Sequence, residues 1–283
     1  MILVTGAGGF LGRSVCARLR QENLDCIGAD RRPSGSSEIP CDVAIREAVE
    51  RLFHTHPIHA VIHLAAMLPS ACRQDPVEAT RVNVLGSANV LETAAASGIG
   101  RFVFGSSISV YRAATDADVY AAGKRYIEAY GETLARARGF TFAALRMATV
   151  VGPGARHTAS PWRSEIFEKP ASGDSRQIAI PLRADQVASL VYVADAAHML
   201  TLLATRPQVP NPVYDTPSEN WRMGDLKALL ESLNRRVTVN LMETPEDAGR
   251  SPALPLADGS SFARDFAWSA PPLADRLAAC LLE

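Results

Sequence analysis

Thr5-Gly6-Ala7-Gly8-Gly9-Phe10-Leu11-Gly12 is the stretch on which the fold turns. It follows the apolar run Met1–Val4 and opens Phe10–Arg20, a run that reads as helix. A short buried strand, a glycine turn and a helix start together make a cradle for a pyrophosphate. Gly6 permits the tight turn, Gly9 lets backbone N–H groups approach the phosphates, and Gly12 lets the helix pack close to the strand. Phe10 and Leu11 begin the helix whose positive end then faces the anion. The spacing is TGxxGxxG, not GxGxxG. Taken alone it also suits an ordinary glycine loop between a strand and a helix.

Outward from this turn, strands and helices alternate. Ile2–Thr5, Asp25–Asp30, Ile39–Cys41, Ala60–Leu64, Phe102–Ser106 and Phe140–Arg146 read as strands. Phe10–Gln21, Ile45–His54, Val77–Ala96 and Tyr120–Arg138 read as helices. The alternation predicts an α/β fold, a doubly wound parallel sheet with helices on both faces. Composition shifts at Val151, so residues 1–150 are expected to bind a dinucleotide and 151–283 to form a smaller substrate-binding portion, with some chain returning to the sheet. Gly152–Pro181 shows little periodicity and is expected to be a long loop covering a site. Beyond it, Ser189–Val193, Val213–Asp215 and Val237–Leu241 read as strands. Ala196–Leu203 (capped by Asp195), Met223–Leu233 and Leu273–Leu282 read as helices.

Composition narrows the function classes. With 283 residues and 47% apolar side chains, the chain can bury a sizeable core. Its net charge is −1 and no basic stripe appears, which argues against nucleic acid. No apolar run reaches membrane-spanning length. Met1 leads straight into a strand, so no leader segment is expected. Cys16, Cys26, Cys41, Cys72 and Cys280 are scattered without CxxC spacing and read as buried thiols of a cytoplasmic protein. His54, His56 and His59 cluster, but no cysteine or carboxylate completes a metal site.

The chemistry is carried by three places. Asp30 ends the second strand, where a carboxylate accepts both hydroxyls of an adenosine ribose and repels a 2′-phosphate. That favours NAD over NADP, although Arg31 and Arg32 just beyond it suit the phosphate. Tyr120 and Lys124 lie four residues apart on a helix, so phenol and ammonium share a face. A phenol titrates near pH 10, and a nearby ammonium or oxidised nicotinamide favours its ionised form. Phe102–Ser106 ends in hydroxyls, and a serine at the carboxyl end of a parallel strand lies where such sheets bind ligands. Of the remaining polar residues, His157 and Arg183 suit either a substrate carboxylate or the solvated surface, and Trp162 suits either a lid or a core anchor. His63 reads as a packing residue.

Together these motifs resemble the extended short-chain dehydrogenase/reductases, in the NAD-dependent epimerase/dehydratase group. TGAGGFLG is similar to the cofactor loop, and Ser106–Tyr111 (SSISVY) to the SSxxVY strand, which points to Ser107 as the catalytic serine. By the same resemblance Asp42 and Val43 meet the adenine, and Leu64, Ala65 and Ala66 run beside the cofactor ribose. Asn83 steadies the active site, and Lys124 holds the nicotinamide ribose. Leu145–Pro153 resembles the LRxxxVYGP segment, and Phe266–Trp268 with Pro271 resembles the family's C-terminal motif. A homodimer through Val77–Ala96 and Tyr120–Arg138 is implied.

The departures concern the substrate. Only eight residues separate Tyr111 from Tyr120, and Thr149 stands where nucleotide-sugar epimerases often carry an asparagine. The run from Arg146 into Ala159–Glu168 is more similar to D-erythronate dehydrogenase-like members, which oxidise small polyhydroxy acids. The expectation is hydride transfer at a secondary alcohol of a small sugar-acid-like substrate, with a sugar or nucleotide-sugar epimerase/dehydratase and a non-catalytic dinucleotide sensor as alternatives.

Overall fold

The computed structural model describes residues 1–33, 35, 38–112, 118–155, 160–171, 176–242 and 255–280. In chain order the first strands are β1 (Ile2–Thr5), β2 (Cys26–Asp30), β3 (Glu38–Pro40), β4 (Ala60–His63), β5 (Arg101–Ser107) and β6 (Thr141–Met147). The later ones are β7 (Thr149–Val151), β8 (Arg176–Arg183), β9 (Val187–Tyr192), β10 (Val213–Asp215), β11 (Glu219–Arg222) and β12 (Val237–Met242). The helices of the first half are α1 (Phe10–Gln21), α2 (Arg46–Thr55), α3 (Pro69–Gln74), α4 (Pro76–Ala79), α5 (Ser87–Ala96) and α6 (Val119–Arg138). Those of the second half are α7 (Trp162–Ala171), α8 (Val193–Thr205), α9 (Met223–Leu233), α10 (Ser260–Asp265) and α11 (Leu273–Ala279).

Seven strands form one sheet in the order β10-β6-β5-β4-β1-β2-β3, every neighbouring pair parallel. β1 and β4 are buried along their whole length, as strands covered by helices on both faces must be. On one face Val15 and Leu19 of α1 meet Ala196, Leu200 and Leu203 of α8 over β1 and β4. On the other, α2, α5 and α6 contribute Leu52, Leu91 and Ile127. This is the expected Rossmann-like arrangement. The order reverses at β1, and the crevice outside the carboxyl ends of the strands there is where such sheets bind ligands. The second half of the chain returns to this sheet through α8 and β10.

A third core lies beyond it, built from α7, α9 and α11 with β8, β9 and β12. This region departs from the sequence expectation. The stretch 152–181, expected as loop, contains α7 and most of β8. Trp162, Ile166 and Phe167 bury one face of α7, but Pro170 inside the helix and the charges around it mask the period. Asp195 does not cap its helix. α8 begins at Val193 with Tyr192 as cap, and Asp195 sits in the first turn, accepting two bonds from Arg276 Nη2 on α11 at 2.6 and 2.8 Å. The helix expected over Val77–Ala96 is interrupted by a π-helical turn, Thr80–Gly86. There Gly86 lies against Val43, whose Cγ2 a Cβ would meet at 2.8 Å. Among the described residues no helix is long and apolar enough to cross a membrane, and no cluster of metal ligands is found.

Candidate active site

The glycine turn leaves no space for side chains. Gly6 has φ +69°, and a Cβ there would lie 2.7 Å from the Ala65 nitrogen. A Cβ on Gly12 would lie 2.1 Å from the Gly6 carbonyl oxygen. Gly9 caps α1 without a side-chain hydrogen bond, so the first N–H groups of the helix remain available to an anion. At the end of β2, Asp30 accepts from the Gly8 N–H at 3.1 Å and the Arg32 N–H at 2.9 Å, one bond to each oxygen. A Cβ on Gly8 would lie 3.3 Å from Asp30 Cγ and 3.2 Å from Glu38 Oε2, so a second carboxylate stands beside the first. The arrangement fits a dinucleotide: backbone N–H groups for the pyrophosphate, and carboxylates for the ribose diol.

One cavity of about 400 Å³ runs from this turn to the ends of β5 and β6 and the start of β7. Gly6, Gly9, Phe10, Leu11 and Gly12 line one end. Ser107, Tyr120, Lys124 and Thr149 line the other, with Leu64 and Ala66 between. The strand end, the helix and the glycine turn therefore converge on one space.

Asp118 fixes the entry to α6, its Oδ1 accepting from the N–H groups of Tyr120 at 3.0 Å and Ala121 at 3.1 Å. The first turn, which carries Tyr120, is thereby anchored. Lys124, one turn on, donates from Nζ to the Gly105 carbonyl at 2.6 Å and lies 4.6 Å from the centroid of the Phe104 ring. Both side chains are buried, and burial shifts each toward its neutral form. The Tyr120 phenol is pushed up to about 12, chiefly by burial, with the nearby Cys72 thiol adding to the rise. A hydrogen bond with Ser107 and the positive charge of Arg163 oppose it. Lys124 is pushed down to about 8 by burial. Within the protein, then, Ser107 and Arg163 are the groups that ease ionisation of the phenol. From the spacing alone, Lys124 is expected in that role.

The two serines of β5 take different duties. Ser106 is fully buried and donates to Glu128 Oε1 at 2.7 Å, and Glu128 also holds Arg146 through bonds of 2.9 and 2.7 Å. Ser107 faces the cavity, and its Oγ accepts from the Ser109 N–H at 3.2 Å and from the Ser109 hydroxyl at 3.0 Å. Asn83, in the π turn, accepts from the Met67 N–H at 2.7 Å and donates to the Met67 carbonyl at 3.0 Å. It braces the loop after β4 and does not itself line the cavity. His63 is buried between Thr5 Oγ1 at 2.7 Å and Ser87 Oγ at 2.9 Å, and burial holds it neutral, with a value lowered to about 3.

Other candidates stand elsewhere. Arg31 pairs with Glu78 at 3.4 Å, and Asp42 with Arg81 at 3.2 Å. Val43 is buried, and Ala65 presents its backbone to Gly6. None of these four lines the cavity. Trp162 is 4% exposed, a core anchor and not a lid. Arg183 pairs with Asp185 in the turn after β8. His157 lies outside the described residues. Two lining residues, Arg112 and Arg163, were not read from the sequence. Neither belongs to a spacing motif, and Arg163 lies in the stretch whose lack of periodicity predicts a loop.

The fold and the site define a dinucleotide-binding protein of the extended short-chain dehydrogenase/reductase type. Residues 2–215 match the model of the NAD dependent epimerase/dehydratase family, and the chain belongs to that family. UDP-glucose 4-epimerase of Rhizobium meliloti (strain 1021) is 29% identical over 118 residues, 39% of this chain and 36% of that protein. UDP-glucuronate 4-epimerase of Thermodesulfobacterium geofontis is 27% identical over 191 residues, 57% of this chain and 59% of that protein. The matches thus span between about a third and three-fifths of these relatives' lengths. Among solved structures, L-threonine dehydrogenase from Phytophthora infestans shares the fold with a TM-score of 0.89 at 20% identity, covering 99% of this chain and 98% of that one. UDP-glucose 4-epimerase of Thermus thermophilus, in complex with NAD, does so with a TM-score of 0.81 at 20% identity, covering 99% and 97%.

Proposed function

We propose that the protein catalyses reversible hydride transfer between NAD and a secondary alcohol of a small hydroxylated, sugar-acid-like substrate. The observation that carries this reading is the cavity shared by the glycine turn, Ser107, Tyr120 and Lys124. Ser107 binds the reacting oxygen through its hydroxyl. Tyr120 takes the alcohol proton at its phenolic oxygen, or returns it in the reverse direction. Lys124 would hold the cofactor's ribose, and Asn83 steadies the site by bracing Met67 in the loop after β4. When bound, NAD would supply the hydride acceptor, and the positive charge of its oxidised ring would favour the ionised phenol. Asp30 and Glu38 beside Gly8 support NAD over NADP, because a 2′-phosphate would meet two carboxylates.

Thr149 on β7 and Arg163 at the start of α7 close the substrate side. Leu85 and Tyr126, 51% and 54% exposed on the π turn and α6, support a homodimer through these helices. The free thiols of Cys16, Cys26, Cys41 and Cys72 support a cytoplasmic location. The names of the epimerase relatives favour a second reading, an epimerase in which the cofactor is reduced and reoxidised within one cycle. Incubating the protein and NAD with aldonates, uronates, hydroxy amino acids and nucleotide sugars separates the two. Reduced nicotinamide accumulating with a small substrate supports the proposal; an isomer formed without it supports the epimerase. Neither product from any substrate would favour a sensor.

A further inference from the structure

Arg163 lines the same cavity as Ser107, Tyr120 and Thr149. It follows Trp162 at the start of α7, and Trp162, Ile166 and Phe167 fasten that helix into the third core. Its neighbour Ser164 ties the helix to the loop after β7, donating to the Gly152 carbonyl at 2.7 Å and accepting from the Ala155 N–H at 2.6 Å. The helix is therefore held rigidly, with Arg163 at the cavity wall.

Among the described residues this arginine has no counter-charge. Its Nε is shut off from solvent and has no hydrogen-bond partner among the described residues. Among the described residues it forms no ion pair, and none of those lining the cavity is a carboxylate. The two other cations of the cavity are engaged: Arg112 donates to Asp118 at 3.3 Å and Lys124 to the Gly105 carbonyl. Removing a guanidinium from water is costly unless a partner restores what is lost. The packing of α7 needs no charge at this position, so the cost points to a ligand. The planar fork of an arginine matches a carboxylate through paired N–H bonds.

We propose that Arg163 receives the substrate's carboxylate, so that the protein acts on a hydroxy acid whose alcohol lies at Tyr120. This rests on the hydride-transfer reading and adds what that reading leaves open, the residue that selects an acid over a neutral alcohol. A phosphate group has the same chemistry toward the fork. The cavity of about 400 Å³ must also hold the reactive end of the dinucleotide, which favours the smaller anion.

The test uses the full chain saturated with NAD and reads binding by calorimetry. The probes are aldonates from glycerate to gluconate, the matched alditols from glycerol to glucitol, and inorganic phosphate. At least one aldonate is expected to bind about tenfold or more tightly than its alditol, and more tightly than phosphate. Arg163→Gln should erase that preference, and Arg163→Lys should keep part of it. NAD affinity should stay within about twofold, and the ligand-free melting temperature should hold or rise, since an unpaired, half-buried charge is removed. Alditols matching aldonates, phosphate binding more tightly, or no aldonate binding would overturn the proposal. So would an equal loss of NAD affinity in Arg163→Gln, which would make the arginine a dinucleotide anchor, or a lower melting temperature, which would make it structural. If an acid binds through Arg163 but yields no reduced cofactor, the hydride-transfer reading fails and the anion site stands. If alditols are oxidised and Arg163→Gln keeps pace, the reverse holds.

Discussion

Replacing Gly12 by alanine tests the cofactor turn directly. The added methyl carbon would lie 2.1 Å from the Gly6 carbonyl oxygen, 2.8 Å from Ala7 Cα and 2.9 Å from the Gly6 carbonyl carbon. An unstrained carbon–oxygen contact is about 3.3 Å or longer, so the turn must retreat by about 1 Å. Every atom in the way is backbone, and no rotamer change relieves the clash. Overpacking of this kind costs about 1–3 kcal/mol of stability. A 1 Å displacement of the turn should weaken NAD binding by about tenfold to a hundredfold. Gly123→Ala is the control. Its methyl group would meet nothing nearer than Val84 Cγ2 at 3.4 Å, and alanine in the interior of α6 should add about 1 kcal/mol. Calorimetric titration with NAD and thermal melts read both effects. Gly12→Ala with native NAD affinity and an unchanged melting temperature would refute the geometry of the turn.

Three further outcomes follow from the same site. Ser107→Ala should lower kcat/KM by about a hundredfold or more with little change in stability, and native kinetics in this variant would remove Ser107 from the mechanism. Ser106→Ala should instead lose about 1.5–3 kcal/mol on denaturant titration, because buried Glu128 loses a donor, while Ser107 keeps its place. His63 titrates far lower in the fold, at about 3, than in the unfolded chain, where it titrates near 6.5. The unfolded chain therefore takes up its proton first as pH falls. The stability His63 contributes is complete above about pH 6.5 and declines below it by about 1.4 kcal/mol per pH unit. Denaturant melts between pH 7 and pH 4 should show that slope in the native protein and a flatter one in His63→Gln. Equal slopes would contradict the burial argument.

Much of the first half was legible because its local signals agree with the global fold. Ile2–Val4 and Ala60–Ile62 are unbroken apolar runs, as strands between two helical layers must be. The glycine turn and the Tyr120–Lys124 spacing fall within single elements, where sequence distance translates into geometry. Ser107 is different. Neighbouring serines at a strand end look alike in spacing, and the resemblance to SSxxVY is what points to Ser107; both line the cavity, and the structure adds that Ser106 is tied to Glu128. The second half hid more. Trp162, Ile166 and Phe167 do form one apolar face, but the helix is short and ends among a proline and charges. β11 is polar and pairs antiparallel with β9, so it carries no apolar run to read. Arg163 has no spacing partner at all. Its meaning comes from its place beside Tyr120 in the cavity wall, which is set by chain segments far apart in sequence.

The most direct measurement of the central claim is single-turnover hydride transfer by Tyr120→Phe, with NAD affinity measured on the same preparation. The phenol is proposed to move a proton in a cavity that the glycine turn also lines. The variant should bind NAD as the native protein does and lose turnover by about a hundredfold to ten-thousandfold with the best substrate of the panel. Near-native turnover in that variant would show that Tyr120 does not carry the proton, and would leave the cavity without its proposed chemistry.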